Sequence, residues 1–324
     1  METNKELINT KVTFDSKDWL EKYNYLVSKI KQGDYEARKT LANEQIKIFD
    51  QTISASKDGY YISQNGFKID IKNCDKLINN SRFYYKEFNV TDISTIDGTT
   101  EIKVKNQDSF DCAKQLLEQG FNPIVLNMAN RNNPGGGVTR GSSAQEETLF
   151  RSSNLFLSLY QFAEYANSYG LQKSKYQYPM NRNFGGIYSP NVTVFRIGPF
   201  GGYAFLDKPY EIAIVSVPAI NRPETINNRL TEKMIAGTKN KIRTILRIGL
   251  KHNHDSIVLG AFGCGAFRNP PEHMAEIFDE VINEPEFKNK YKKICFGILE
   301  DHNSNKSHNR EGNFKPFFDR FEKK

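Results

Sequence analysis

The sequence is poor in the residues that build cross-linked or metal-stapled folds. Its four cysteines, Cys74, Cys112, Cys264 and Cys295, are scattered through 324 residues without a C-x-x-C pair, which argues against a disulfide framework or a zinc knuckle. No apolar run approaches the roughly 18 residues that a bilayer span requires, so no membrane association is expected. The opening METNKELINT lacks the apolar core of a secretion signal. Charge of one sign is not concentrated either. Forty-five Lys+Arg stand against 38 Asp+Glu, a net +7, and the short basic stretches at 288–293 and 323–324 read as solvated faces. That balance permits an anionic ligand but does not mark a nucleic-acid surface. What is present, 38% hydrophobic and 26% charged residues, suffices for a sizeable core in one large or two ordinary domains. The expectation is a soluble intracellular, cytoplasmic protein (nuclear if the source is eukaryotic).

Periodicity divides the chain. Trp19, Leu20, Tyr23, Leu26, Val27 and Ile30 share one helical stripe within 17–31, with Ser16 as the expected cap and Gly33 as the stop. A second helix is expected over 35–48. Gln64-Asn65-Gly66 between alternating runs predicts a hairpin. Strands are then expected at 101–105, 123–128, 192–197, 211–217, 256–262 and 294–299. Helices are expected at 109–119, from about Ala144, at 232–250 and at 271–283. Segment 165–190 reads as a long surface excursion. Such alternation implies an α/β fold with a parallel or mixed sheet covered on both faces.

The chemistry concentrates where strands run into glycine. Strand 123–128 leads through Asn130 and Pro134 to Gly135-Gly136-Gly137-Val138, then to Ser143-Ala144-Gln145-Glu146-Glu147 at a helix start. Three glycines make either a bare turn or a peptide segment whose N–H groups lie open to an anion. A second loop, Gly260 to Pro270, follows strand 256–262. In open α/β sheets ligands bind beyond the carboxyl ends of strands, so the two loops can grip a diphosphate between them. Neither loop is a P-loop, and counting G-x-G-x-x-G from Gly135 or Gly263 puts Arg140 or Arg268 at the third glycine. The spacing Ser143…Glu146 predicts a capping box with Ser143 as the cap. Glu146 and Glu147 either complement the helix dipole or, beside a diphosphate, serve a reacting sugar. Neighbours on a helix diverge by about 100°, so the two cannot share one role.

The triglycine followed by Gln145-Glu146-Glu147 resembles the signature of poly(ADP-ribose) glycohydrolases. Flanking stretches such as Val104 to Asn130, Ile187 to Pro190 and Leu259 to Pro270 are similar to the compact microbial members. The resemblance implies a macrodomain-like mixed sheet flanked by helices on both faces over residues 36–324, preceded by a helical N-terminal extension at 1–35. It implies hydrolysis of the ribose–ribose O-glycosidic bonds of poly(ADP-ribose), from chain ends, with ADP-ribose released. Alternatives are a hydrolase of mono-ADP-ribosylated protein or nucleic acid, and an ADP-ribose-binding module. By resemblance, Glu147 is the catalytic acid/base, while Glu146 and Asn130 hold the distal ribose. Gly135, Gly136, Gly137 and Val138 form the first substrate loop with Gln145 beside it. Gly263, Cys264, Gly265, Ala266 and Phe267 form the second, and Phe317 packs near the adenine. The expected partners are poly(ADP-ribose) or ADP-ribosylated proteins, nucleic acid only as an ADP-ribosylated substrate, and no cofactor or metal is implied.

Other residues invite weaker readings. Cys264 has no base partner in the sequence, so a small loop residue is the better account than a nucleophile. His252 and His254 read as a dipole complement at a helix end. His302 and His308 fall in a polar stretch expected to be a mobile loop. Tyr176 and Tyr178 are candidates for a substrate groove.

Overall fold

The structure, a computed structural model, describes residues 14–91, 93–300 and 305–323. Its helices are α1 (Ser16–Lys31), α2 (Tyr35–Asp58), α3 (Cys74–Asn80), α4 (Ser109–Glu118), α5 (Gln145–Ser152), α6 (Leu155–Tyr160), α7 (Glu232–Lys251), α8 (Pro271–Ile282) and α9 (Phe314–Phe321). The strands are β1 (Tyr60–Ile62), β2 (Lys68–Asp70), β3 (Arg82–Tyr84), β4 (Glu101–Lys105), β5 (Pro123–Met128), β6 (Gly186–Arg196), β7 (Phe205–Val217), β8 (Thr225–Ile226), β9 (Arg229–Leu230), β10 (Ser256–Leu259) and β11 (Lys293–Gly297).

The main sheet has the order β3-β6-β7-β5-β10-β11-β4. The run from β7 to β4 is parallel, and β6 and β3 extend it antiparallel. Side chains alternate across a strand. Accordingly Ile124, Leu126, Ile257, Leu259, Ile294 and Phe296 face α7, α8 and α9, while Val125, Val258 and Cys295 face α4, α5 and α6. Both faces are buried, which is why these strands read as apolar runs. The fold class expected from the sequence is the one observed.

Several boundaries differ, each for a local reason. Asp15, not Ser16, caps α1, its Oδ1 accepting N–H bonds from Lys17 at 2.8 Å and Asp18 at 3.2 Å. Helix α2 continues ten residues past Ile48, since no Gly or Pro intervenes before Gly59, which closes it at φ +75. β6 begins before Pro190 and passes through it, absorbing the proline with a register shift between Ser189 and Val192 and Asn191 at φ +51. Segment 165–190 is packed rather than superficial. Leu171 and Met180 are buried, and Tyr176 and Tyr178 pack against Phe83. His252 and His254 are held neutral, since burial pushes the His252 imidazole down to about 4 and lowers His254 as well. They hydrogen-bond Tyr84 and Tyr188 instead of offering charge to the helix end. His302 lies outside the described residues, whereas the His308 ring meets the Cys264 carbonyl at 2.8 Å.

Among the described residues no helix is long and apolar enough to cross a membrane. Helix α1 docks through Trp19 against Tyr203 and Ile48, which fixes it to the body of the fold. Phe150 of α5 is fully buried and supports Gly135 from below, where a methyl would meet its ring at 2.6 Å. Phe150→Ala is therefore expected to cost about 3–5 kcal/mol, the usual range for a buried phenylalanine, measured by urea unfolding.

Candidate active site

A cleft opens beyond the carboxyl ends of the parallel strands. Met128 at the end of β5 and Asn130 after it, Gly263, Gly265, Ala266 and Phe267 after β10, Ile298 and Leu299 after β11, and Gln107 to Ser109 after β4 line it. The start of α5 forms its floor with Gln145, Glu146 and Glu147, and Tyr23, Pro199 and Phe200 stand at the rim. Among the described residues no lysine or arginine lines this cleft.

The two carboxylates are held by backbone. Glu146 accepts N–H bonds from Asn130 at 2.7 Å and Gly135 at 3.0 Å. Glu147 accepts from Gly137 at 2.8 Å and, reaching back over the first turn, from Ala144 at 3.0 Å. Ala144 is thus the cap position, and Ser143 instead accepts a bond from Gln45 of α2. Gly136 lies between them at φ +57. A methyl there would stand 2.5 Å from Glu147 Oε1 and 3.1 Å from Glu146 Oε2, so only glycine fits in conformation and in space. Burial and the neighbouring Glu147 push the Glu146 carboxyl well above its ordinary range, against the N–H bonds of Asn130 and Gly135.

This arrangement corrects the expectation for the first glycine loop. The N–H groups of Gly135 and Gly137 belong to the glutamates, and those of Gly136 and Val138 donate to Asn133 and Gly135 carbonyls. The triglycine cradles carboxylates rather than lying open to an anion. The second loop matches expectation better. Among the described residues, the N–H groups of Gly263, Gly265, Ala266 and Phe267 meet no acceptor, and all four residues line the cleft. Three adjacent open amides make a concave donor surface for an anion.

Three further candidates lie elsewhere. Phe317 is fully buried among Phe278 and Phe296, so it is core and not an adenine contact. Val138 is buried on the α4–α6 face of the sheet. Cys264 is fully buried with its thiol pushed up, and its N–H closes a turn onto Ala261. Gln145 does reach the cleft wall, but its amide ties α5 to β5, donating to the Leu126 carbonyl at 2.6 Å and accepting from the Met128 N–H at 2.9 Å. Asn130 uses its side-chain oxygen to turn the loop, accepting from the Asn132 and Asn133 N–H groups. Tyr178 is not a groove residue: its hydroxyl is buried without a partner.

Sequence reasoning missed Asp108, Tyr23 and Phe200. Asp108 caps α4 through the Phe110 N–H at 2.7 Å, and burial pushes its carboxyl up to about 6. An aspartate between a strand and a helix was the available signal. Phe200 is 65% exposed on the β6–β7 connection, and nothing local marks it.

With this geometry in place, comparison with known proteins is informative. Residues 50–197 match the family model of the microbial-type PARG catalytic domain. The poly(ADP-ribose) glycohydrolase of Thermomonospora curvata is 26% identical, with a TM-score of 0.70 over 86% of this chain and 100% of that one. Its structure bound to the inhibitor ADP-HPD gives a TM-score of 0.68 at the same identity and coverage. The Deinococcus radiodurans enzyme in complex with ADP-ribose, 24% identical over 79% of this chain and 99% of that one, shares the fold with a TM-score of 0.59. No curated protein matches the chain. Fold and site define a macrodomain-like α/β protein with a paired-glutamate cleft. Over residues 50–197 the chain is similar to the microbial-type poly(ADP-ribose) glycohydrolase catalytic domain, and its fold is similar to that of the Thermomonospora curvata enzyme.

The raised Glu146 pKa has a consequence for stability. The folded chain keeps this proton over a range in which the unfolded chain has lost it, so the group's contribution falls as pH rises past the ordinary glutamate range. Urea unfolding of wild type and Glu146→Gln from pH 4 to 8 checks this. The wild type should lose stability with rising pH relative to the variant, and parallel curves would refute the assignment.

Proposed function

We propose that this chain hydrolyses the ribose–ribose O-glycosidic bonds of poly(ADP-ribose), acting from chain ends and releasing ADP-ribose. The observation that carries this reading is the pair of backbone-clamped glutamates facing the open amides of the second glycine loop across one cleft. A diphosphate on the amides of Gly263, Gly265, Ala266 and Phe267 brings the adjoining ribose to Glu146 and Glu147, beside the Nδ2 group of Asn130. The domain division follows: residues 36–324 form the catalytic domain, and 1–35 form an extension whose α1 brings Tyr23 to the rim. The four free thiols fit a reducing, intracellular setting.

Cleavage passes through an oxocarbenium-like state at the anomeric carbon. The departing ribose oxygen is a poor leaving group, so an acid must protonate it. Glu147 gives that proton and, as carboxylate, then takes one from the water that attacks the same carbon. Glu146, anchored on the far side of Gly136, holds the ribose hydroxyls and keeps the sugar from rotating. The bound diphosphate adds negative charge close to the developing cation, which lowers its energy.

The decisive experiment incubates labelled polymer and, in parallel, a mono-ADP-ribosylated protein with the chain. Polymer should be trimmed to ADP-ribose, and release from the mono-modified protein alone would move the reading to a mono-ADP-ribosyl hydrolase. Glu147→Gln should keep ADP-ribose affinity by calorimetry while losing at least ~100-fold in turnover, the usual weight of a positioned acid. An equal loss of affinity and rate would contradict the role given to Glu147.

A further inference from the structure

In a trans peptide the carbonyl of one residue and the N–H of the next point in opposite directions. An amide of the second glycine loop therefore faces the cleft only while the carbonyl joined to it is held behind. Three of these carbonyls are held from within the loop or close to it. That of Gly263 accepts from the Asn269 N–H at 3.0 Å and from its Nδ2 at 3.1 Å. That of Gly265 accepts from the Arg268 N–H at 3.1 Å, and that of Phe267 from the Arg222 N–H at 2.8 Å. The Cys264 carbonyl is held from much further away. Its bond comes from His308, 44 residues along the chain, whose Nε2 stands 2.8 Å from the oxygen. A carbonyl oxygen cannot donate, so Nε2 carries the hydrogen. The peptide held in this way is the one that carries the Gly265 N–H.

The sequence placed His308 in a mobile polar loop, but the structure pins it. The ring is half-buried, and the chain around it is folded onto the body of the protein. The fully buried Asn309 side chain accepts from the Lys306 N–H at 2.8 Å and donates to Asn313 Oδ1 at 2.8 Å. Asn313 in turn donates its N–H to the Glu300 carboxylate at 2.7 Å, and it lines the cleft. A segment beyond β11 thus delivers one N–H donor to the rear of the second loop. Gly265 has no Cβ, so its peptide rotates at little steric cost. Unheld, that rotation turns the Cys264 carbonyl toward the cleft, where its negative end repels a diphosphate. Held, the peptide keeps its N–H forward, and the bond accepted by the carbonyl also strengthens that N–H as a donor.

We propose that His308 is a positioning residue for anion binding. It holds the Cys264–Gly265 peptide with its N–H toward the cleft, where the amide meets the diphosphate of the substrate. The identity of that anion rests on the function proposed above, whereas the hold on the peptide does not.

Cys264-Gly265 is the one Cys-Gly pair in the sequence. The full chain labelled with carbon-13 at cysteine carbonyls and nitrogen-15 at glycine therefore gives a single carbonyl–amide NMR signal, and it reports this peptide. His308→Gln keeps an N–H donor at the Nε2 position, and His308→Phe keeps the bulk of the ring without it. Wild type and His308→Gln should share one carbonyl shift, and His308→Phe should move it upfield, as loss of an accepted hydrogen bond does. ADP-ribose added to wild type should shift the Gly265 amide. By calorimetry, His308→Phe should bind ADP-ribose about 5–10-fold more weakly, the net weight of one hydrogen bond, with His308→Gln close to wild type. An unmoved carbonyl in His308→Phe overturns the proposal, and so does equal ADP-ribose affinity of wild type and His308→Phe. A loss in His308→Gln as large as in His308→Phe overturns it too, because bulk and not the donor is then the cause. If wild type binds no ADP-ribose, the function proposed above fails, while the carbonyl shift of the free chain still decides whether His308 holds the peptide.

Discussion

Two adjacent glutamates at the start of one helix would ordinarily splay apart into solvent. Here the peptide N–H groups of Asn130, Gly135, Gly137 and Ala144 hold them, and the rest of the site depends on that clamp. The glycine turn must pass within hydrogen-bond reach of both carboxylates, which leaves no room for a side chain at Gly136. The helix must begin at Gln145, whose amide stitches it to β5. Arg151 ties the other end of α5, donating to the Ser142 and Gln45 carbonyls. Strand, turn and helix are thereby tied to one another by hydrogen bonds at both ends of α5.

The clamp also divides labour between the loops. A segment that spends its amides on carboxylates has none left for a phosphate, whereas the loop after β10 keeps the N–H groups of Gly265, Ala266 and Phe267 open toward the cleft. Among the described residues no lysine or arginine lines the cleft, so the Glu146 carboxyl, already raised by burial and by Glu147, has no cation there to draw it back down.

Much of this was legible along the chain. Apolar runs at 123–128, 256–262 and 294–299 predicted strands of a covered parallel or mixed sheet, because both faces of a buried strand need apolar residues; the strands observed are Pro123–Met128, Ser256–Leu259 and Lys293–Gly297. The triglycine and the Gln145-Glu146-Glu147 run located the cleft and its carboxylates. The failures share a cause. Phe317 and Cys264 carried the right residue type beside the right motif, but which way a side chain turns depends on what packs above and below it. The direction of the glycine amides was equally hidden, since the same three residues suit an open nest or a closed clamp.

The sequence by itself determined the layered α/β arrangement, the two glycine connections and the position of the glutamates at a helix start. These follow from period, turn chemistry and helix geometry, which act over a few residues. Only the tertiary structure decided that Glu146 and Glu147 take up the first loop's amides and that Phe317 belongs to the core. It alone brought Tyr23 of α1 and Phe200 of a distant hairpin to one rim. Each of those outcomes depends on contacts between segments tens to hundreds of residues apart, and no local pattern encodes the distance between them.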